Sequence, residues 1–264
     1  MEIKAACLQY PVLNGNIKTN RETFLKKIID LRGQQIDFIV LPEMCFSGFD
    51  YVNLEAHSIE TSSIIGTVSD ILDENSYVFA SLPESIDNKI FNTIFVISSQ
   101  GIIGKYSKNM LFPSVNEHIY FTPAKDVSLF KLKNVNLTTF LCYEIRFPEL
   151  FRLATYNNNI GIIIIPAIWP HTKIDHWITL LKARAIENHC FVVGCNASYV
   201  LSKNKQIDCG TSVVVDPWGK IISRTEKNHT LITEINLDIV EKAKELVPSL
   251  EQAKEMFNIT FAYK

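Results

Sequence analysis

Three polar residues stand where apolar segments end. In Ile39-Val40-Leu41-Pro42-Glu43 a carboxylate follows a run of buried type. In Gly104-Lys105-Tyr106-Ser107-Lys108 a lysine precedes the bulky cluster Met110-Leu111-Phe112 and then Pro113. In Leu137-Thr138-Thr139-Phe140-Leu141-Cys142 a cysteine closes an apolar run, and Tyr143-Glu144-Ile145-Arg146-Phe147-Pro148 follows. Alone, each has an ordinary reading: a turn carboxylate, a solvated strand-end lysine, a buried inert thiol. Together they are the parts of nucleophilic catalysis. The thiol is the nucleophile, and burial would raise the carboxylate toward a neutral-pH base. A fixed cation would stabilise both the thiolate and a developing oxyanion. An apolar strand, a sharp turn at Cys142 and a proline-initiated helix form the pattern of a nucleophile elbow. Such an elbow pushes a side chain out beside backbone N–H groups that can receive an oxyanion.

The elements that would hold these residues follow from periodicity. Short apolar, β-branched or aromatic runs occupy residues 3–10, 37–41, 77–82, 93–98, 102–106, 135–142, 160–166, 191–195, 212–215 and 231–237. Helical spacing occupies 21–31, where Phe24, Leu25, Ile28 and Ile29 share a face ahead of Gly33. It recurs over 148–156, which opens on a proline, and over 175–189, with Asp175 as the expected cap. Roughly ten strands interleaved with helices predict an α/β layer protein of large sheets with some antiparallel pairing. No Pro/Gly/Ser linker or short repeat interrupts the 264 residues, so one domain over 1–264 is expected. The Lys- and Glu-rich tail, from about 240 to 264, reads as an arm on a neighbouring subunit or a surface appendage.

At this point the chain resembles the nitrilase superfamily of carbon–nitrogen hydrolases. The resemblance is carried by Leu41-Pro42-Glu43, by Lys108 with Leu111-Phe112, and by Cys142-Tyr143-Glu144-Ile145-Arg146-Phe147-Pro148-Glu149. It continues through Ala183-Arg184-Ala185-Ile186-Glu187-Asn188, Gly194-Cys195-Asn196 and Gly210-Thr211-Ser212 to Pro217-Trp218-Gly219. The loop 112–118 and the run from Trp169-Pro170 to Arg184 look like the branch that includes ω-amidase. The resemblance implies an α-β-β-α sandwich of two mixed sheets and a Glu43–Lys108–Cys142 triad. It implies Glu117 as a second acid near Lys108, and Lys108 with the Tyr143 N–H as the oxyanion hole. It also implies a homodimer and hydrolysis of small ω-amides such as 2-oxoglutaramate through a thioester. His118, Trp169 and His171 are the candidates for lining the pocket. Two positions depart from the family pattern near the expected pocket: Glu144, where Asp is usual, and Ile168, where a polar residue is usual.

Composition removes other classes. With 26 Lys+Arg against 28 Asp+Glu, no basic field for nucleic acid exists. The apolar stretch 161–169 is far shorter than the ~18–20 residues that span a bilayer. No secretory signal pattern opens the chain, so a cytoplasmic protein with reduced thiols is expected. No glycine-rich phosphate motif and no His-x₃-His zinc spacing appears, and neither cofactor nor metal is implied. Cys7, Cys45, Cys190, Cys195 and Cys209 read as core thiols, with Cys190 and Cys195 on a strand burying alternate residues. The rival readings are an amidase or carbamoyl hydrolase of another small substrate, an idle binding protein on the same fold, and a thiol redox protein. The last suffers from the want of a resolving cysteine in the sequence near Cys142.

Overall fold

In the first strand, Ile3, Ala5 and Cys7 join one apolar cluster while Ala6 and Leu8 join another. A strand that buries both faces needs a layer on each side. The computed structural model, which describes residues 1–253, supplies them. In chain order the elements are β1 (Glu2–Gln9), β2 (Val12–Leu13), α1 (Ile17–Ile29), β3 (Phe38–Val40), α2 (Leu54–Ile71), β4 (Tyr77–Ile86), β5 (Lys89–Ser98), β6 (Gly101–Ser107) and α3 (Glu117–Tyr120). The chain continues with β7 (Leu129–Leu132), β8 (Val135–Thr139), α4 (Pro148–Thr155), β9 (Ile162–Ala167), α5 (Ile174–Asn188), β10 (Phe191–Asn196), β11 (Tyr199–Ser202) and β12 (Lys205–Asp208). It closes with β13 (Ser212–Val215), β14 (Ile221–Thr225), β15 (His229–Asn236), α6 (Asp238–Leu246) and α7 (Ser249–Ala253).

Two six-stranded mixed sheets form, in the orders β15-β1-β3-β4-β5-β6 and β14-β13-β10-β9-β8-β7. Alternate residues of the first sheet (Phe38, Val40, Phe79, Ile94, Val96) share a cluster with Leu137, Ile163, Ile165 and Val192 of the second. Residues of opposite parity (Ile39, Val78, Ala80, Phe95) pack with Phe24 and Ile28 of α1 and Ile64 and Val68 of α2. The outer face of the second sheet is covered by Phe151 of α4 and by Trp177, Leu181 and Ala185 of α5. The result is the expected helix–sheet–sheet–helix order.

All ten sequence-read runs are strands of these sheets. Two readings are corrected and two elements are new. Every residue of β10 is buried, so Cys195 lies on a strand enclosed on both faces, not alternately; Cys190 precedes that strand. Helix α5 begins at Ile174 with no side-chain cap, and Asp175 sits in its first turn. There the carboxylate meets the positive end of the helix dipole instead of capping it. The 18-residue α2 has no counterpart among the helices named from sequence. Its Ser-, Thr- and Ile-rich composition with Gly66 suppresses local helix preference, and burial of its apolar face on the sheet decides the outcome. The small sheet β12-β11-β2 is likewise new.

The first part of the tail packs on this chain. Val240 and Ala243 of α6 are buried, the N-terminal ammonium bonds Asp238 at 2.9 Å, and Lys244 reaches Asn159. The remainder of the expected arm, 254–264, lies outside the described residues.

Candidate active site

The ends of β3, β6 and β8 converge. Glu43 follows β3 through Leu41-Pro42, and the next residue, Met44, takes φ +47°. Its backbone N–H is fixed by Ser81 Oγ at 2.9 Å. Ser81 Oγ also donates to Asn92 Oδ1 at 2.9 Å, and Asn92 Nδ2 donates to Glu43 Oε1 at 2.9 Å. Lys108 follows β6, tied by its N–H to Asn92 O at 2.9 Å. Its ammonium donates to Glu43 Oε1 at 2.7 Å and to Glu117 Oε1 and Oε2 at 2.7 and 3.0 Å. Glu117 starts α3, after Asn116 at φ +60°, and Glu117 Oε2 accepts the Phe112 N–H at 2.5 Å. Glu43, Lys108 and Glu117 are each about 1% exposed.

Cys142 turns the chain out of the strand at φ +39°, and its thiol donates to Ile168 O at 3.5 Å. Non-glycine residues at positive φ cost of order 1–3 kcal/mol each and persist only where the surroundings impose them. Met44, Asn116 and Cys142 place that strain beside the acids and on the thiol itself. Tyr143 follows in the first turn of a 3₁₀ segment, Cys142–Arg146, where backbone N–H groups have no partner within the helix.

The electrostatics follow from burial of two carboxylates and one ammonium. Burial raises Glu117 above the usual carboxylate range, against the pull of Lys108 and with the help of Glu43. Burial would lower Lys108, but the two carboxylates more than offset this and raise it above the usual lysine value. Burial, and then the charge of Glu43, pushes the Cys142 thiol well above the ordinary cysteine range, with Lys108 opposing. The resting thiol is therefore protonated, and nucleophilic attack requires a base at the moment of reaction.

These four residues line one cavity of about 330 Å³. Its walls are Phe49, Tyr51, Phe112, Tyr143, Ile168 and Pro170, with Val200, Ser202 and Ile207 from the small sheet. His118, Trp169 and His171 are not among the lining residues. His118 is exposed on α3, and the His171 ring contacts Cys209 O at 3.3 Å. Trp169 is buried with its indole N–H on Lys173 O at 2.8 Å. What Trp169 contributes is backbone. Asn196 Oδ1 accepts the Trp169 N–H at 2.8 Å, and Asn196 Nδ2 donates to Trp169 O at 2.9 Å. That pair fixes the neighbouring carbonyl of Ile168 under the thiol. Cys209, read as a core thiol, lines the cavity too, so a second thiol does share the space with Cys142. Burial pushes it up to about 12, which keeps it protonated at neutral pH.

Glu144 is wholly buried and structural. Its Oε1 accepts from Tyr106 Oη and the Asn109 N–H, each at 2.7 Å, and from the Met110 N–H at 3.2 Å. Its Oε2 accepts the Leu141 N–H at 2.7 Å. One side chain thus ties the Lys108 loop to the Cys142 elbow. Arg184 of α5 braces the same elbow from behind, donating twice to Ile145 O at 3.0 and 2.7 Å. The family motifs around both residues are visible in the sequence, but apart from Leu141 the partners named here lie 34–39 residues away.

Comparison with known proteins decides the family. The family model for carbon–nitrogen hydrolases matches residues 4–245. The chain belongs to this family. As a carbon–nitrogen hydrolase it is an amide-hydrolysing enzyme, with the nitrilase-superfamily fold. It is similar to the 2-oxoglutaramate amidase of Bacillus subtilis, 30% identical over 263 residues, covering 97% of this chain and 99% of that one. It is 26% identical to the omega-amidase YafV of Escherichia coli, covering 96% and 97% of the two chains. The crystal structure of XC1258 from Xanthomonas campestris, a protein of the same superfamily with an arsenic adduct in its active site, superposes with a TM-score of 0.88 at 23% identity over 100% of both chains. Among the described residues, no cluster of metal-ligating side chains occurs in this carbon–nitrogen hydrolase, and no helix is long and apolar enough to cross a membrane.

Proposed function

We propose that the protein hydrolyses the terminal amide of a small dicarboxylic ω-amide, of the 2-oxoglutaramate or 2-oxosuccinamate type, through a thioester on Cys142. The observation that carries this reading is the Lys108 ammonium bridging Glu43 and Glu117 in the cavity that also holds Cys142. The named activities of the relatives support the substrate class.

Glu43 takes the Sγ proton as sulfur adds to the amide carbonyl. Lys108 and the Tyr143 N–H hold the oxyanion, the role of fixed donors aimed at developing charge. The tetrahedral intermediate collapses, Glu43 returns the proton to the leaving nitrogen, and ammonia departs. Water, deprotonated by Glu43, then attacks the thioester carbonyl. The acid is released, and the proton returns to sulfur. Glu117 touches Lys108, orienting it and sharing its charge. Burial raises its pKa, and the Lys108 ammonium opposes that rise.

The test is ammonia release from 2-oxoglutaramate combined with intact-mass analysis. The wild type releases ammonia and carries a transient acyl adduct, whereas Cys142→Ala is folded, inactive and free of adduct. Retained activity in Cys142→Ala overturns the mechanism, and no ammonia from the wild type overturns the substrate class.

A further inference from the structure

A dicarboxylic ω-amide carries a carboxylate at the end remote from the scissile bond, and burial of that charge calls for a partner. Lys108 is the single Lys or Arg among the described residues lining the cavity, and its ammonium is already engaged by two carboxylates. No histidine lines it either. Among the described residues, the donors left for the far carboxylate are neutral.

The cavity wall holds such a donor without a partner. Tyr51 lines the cavity, and its hydroxyl is buried with no hydrogen bond among the described residues. Six buried side-chain polar atoms lack a partner among those residues, and two of them, Tyr51 Oη and Asn14 Oδ1, belong to residues on this wall. An unsatisfied buried hydroxyl is costly to leave unpaired, and a ligand acceptor would recover that cost. The ring is held rigidly. It stacks on Tyr120 at 4.4 Å with an interplanar angle of 2° and meets Phe49 at 5.9 Å and Phe121 at 6.3 Å. Burial and the charges of Glu117 and Glu43 keep the phenol protonated, so that it offers a proton and not a charge.

We propose that Tyr51 is a specificity-determining residue whose hydroxyl donates a hydrogen bond to the carboxylate at the far end of the acyl chain. This rests on the amide-hydrolysis reading above and deepens it, assigning the far carboxylate a neutral donor on a rigid aromatic platform.

The experiment compares wild type with Tyr51→Phe on succinamate, which carries the amide and a far carboxylate. It also follows alkylation of Cys142 by iodoacetamide, which carries an amide and no far oxygen. Loss of one hydrogen bond to a charged acceptor is expected to lower kcat/KM for succinamate about 10- to 100-fold, chiefly through KM. The Cys142 alkylation rate should stay within about twofold, and the ligand-free variant should melt no lower than wild type, because the hydroxyl has no partner to lose. An unchanged kcat/KM overturns the proposal. So does an equal fall in alkylation rate or a lowered melting temperature, either of which marks a structural role. A wild type that releases no ammonia from succinamate, yet alkylates at Cys142, fails earlier and overturns the substrate class and this proposal together.

Discussion

At the residue scale, the site is a problem in charge. Two carboxylates and one ammonium are buried together, so the fully ionised cluster carries one uncompensated negative charge. Glu117→Gln removes it while keeping one acceptor for Lys108. The variant should melt at or above the wild-type temperature, since a buried unpaired charge is lost. Its kcat should nevertheless fall about 10- to 100-fold, because Lys108 loses a charged anchor aimed at the oxyanion position. Calorimetry and steady-state ammonia release on the same preparation check both directions, and unchanged kcat would make Glu117 a bystander. Glu43, Lys108 and Cys142 were legible in the sequence because each is the wrong residue type for the end of an apolar run. Tyr51, Asn14 and Ser202 carried no such mark. Asn14 lies in a turn, Tyr51 opens a three-residue 3₁₀ helix and Ser202 ends a four-residue strand, and none of these elements is long enough for periodicity to distinguish a wall from a surface.

At the element scale, placement depends on close packing behind the site. Gly194 in β10 has α5 lying directly on it. A Cβ there would sit 2.8 Å from Trp177 Cζ2 and 2.9 Å from Leu181. Helix α5 also carries Arg184, which grips the elbow carbonyl of Ile145. Gly194→Ala should therefore cost about 1–3 kcal/mol by overpacking. It should also lower kcat, because any shift of α5 is passed to the elbow. Urea unfolding and ammonia release measure the two effects, and a stability loss with unaltered kcat would uncouple helix from elbow. The strands of both sheets could be read from their apolar runs because burial on both faces leaves long β-branched stretches. Helix α2 could not, because its side chains favour strand or turn locally and only the sheet beneath makes it helical.

At the scale of the whole molecule, Glu144 joins the two halves of the chain, binding the loop after β6 to the turn after β8. Burial raises it to about 7, against the pull of the N–H donors around it. The native state thus holds a proton that the unfolded chain releases near pH 4.5. By linkage, the contribution of this group to stability is full below about pH 4.5 and declines by about 3 kcal/mol as pH rises to 7. Glu144→Gln offers one acceptor oxygen where four donors converge, so it should be less stable than wild type throughout. Its stability should also change less between pH 5 and 7, and urea midpoints at the two pH values test this. Parallel slopes for the two proteins would show that Glu144 does not titrate there. From sequence, Glu144 registered only as a departure from a family pattern. Its four donors come from two segments, 106–110 and the elbow at Leu141, that only the folded chain brings together.

The small sheet β12-β11-β2 stands apart from this machinery. Val200, Ser202 and Ile207 face the cavity, yet the acids, the lysine and the thiol are all held by the two large sheets and α3. Strand β12 is exposed along its whole length and, among the described residues, pairs only with β11. The hairpin thus walls the cavity without carrying any of the bond-breaking groups, so a change of side chain at Val200, Ser202 or Ile207 should alter which acyl groups fit before it alters the chemistry.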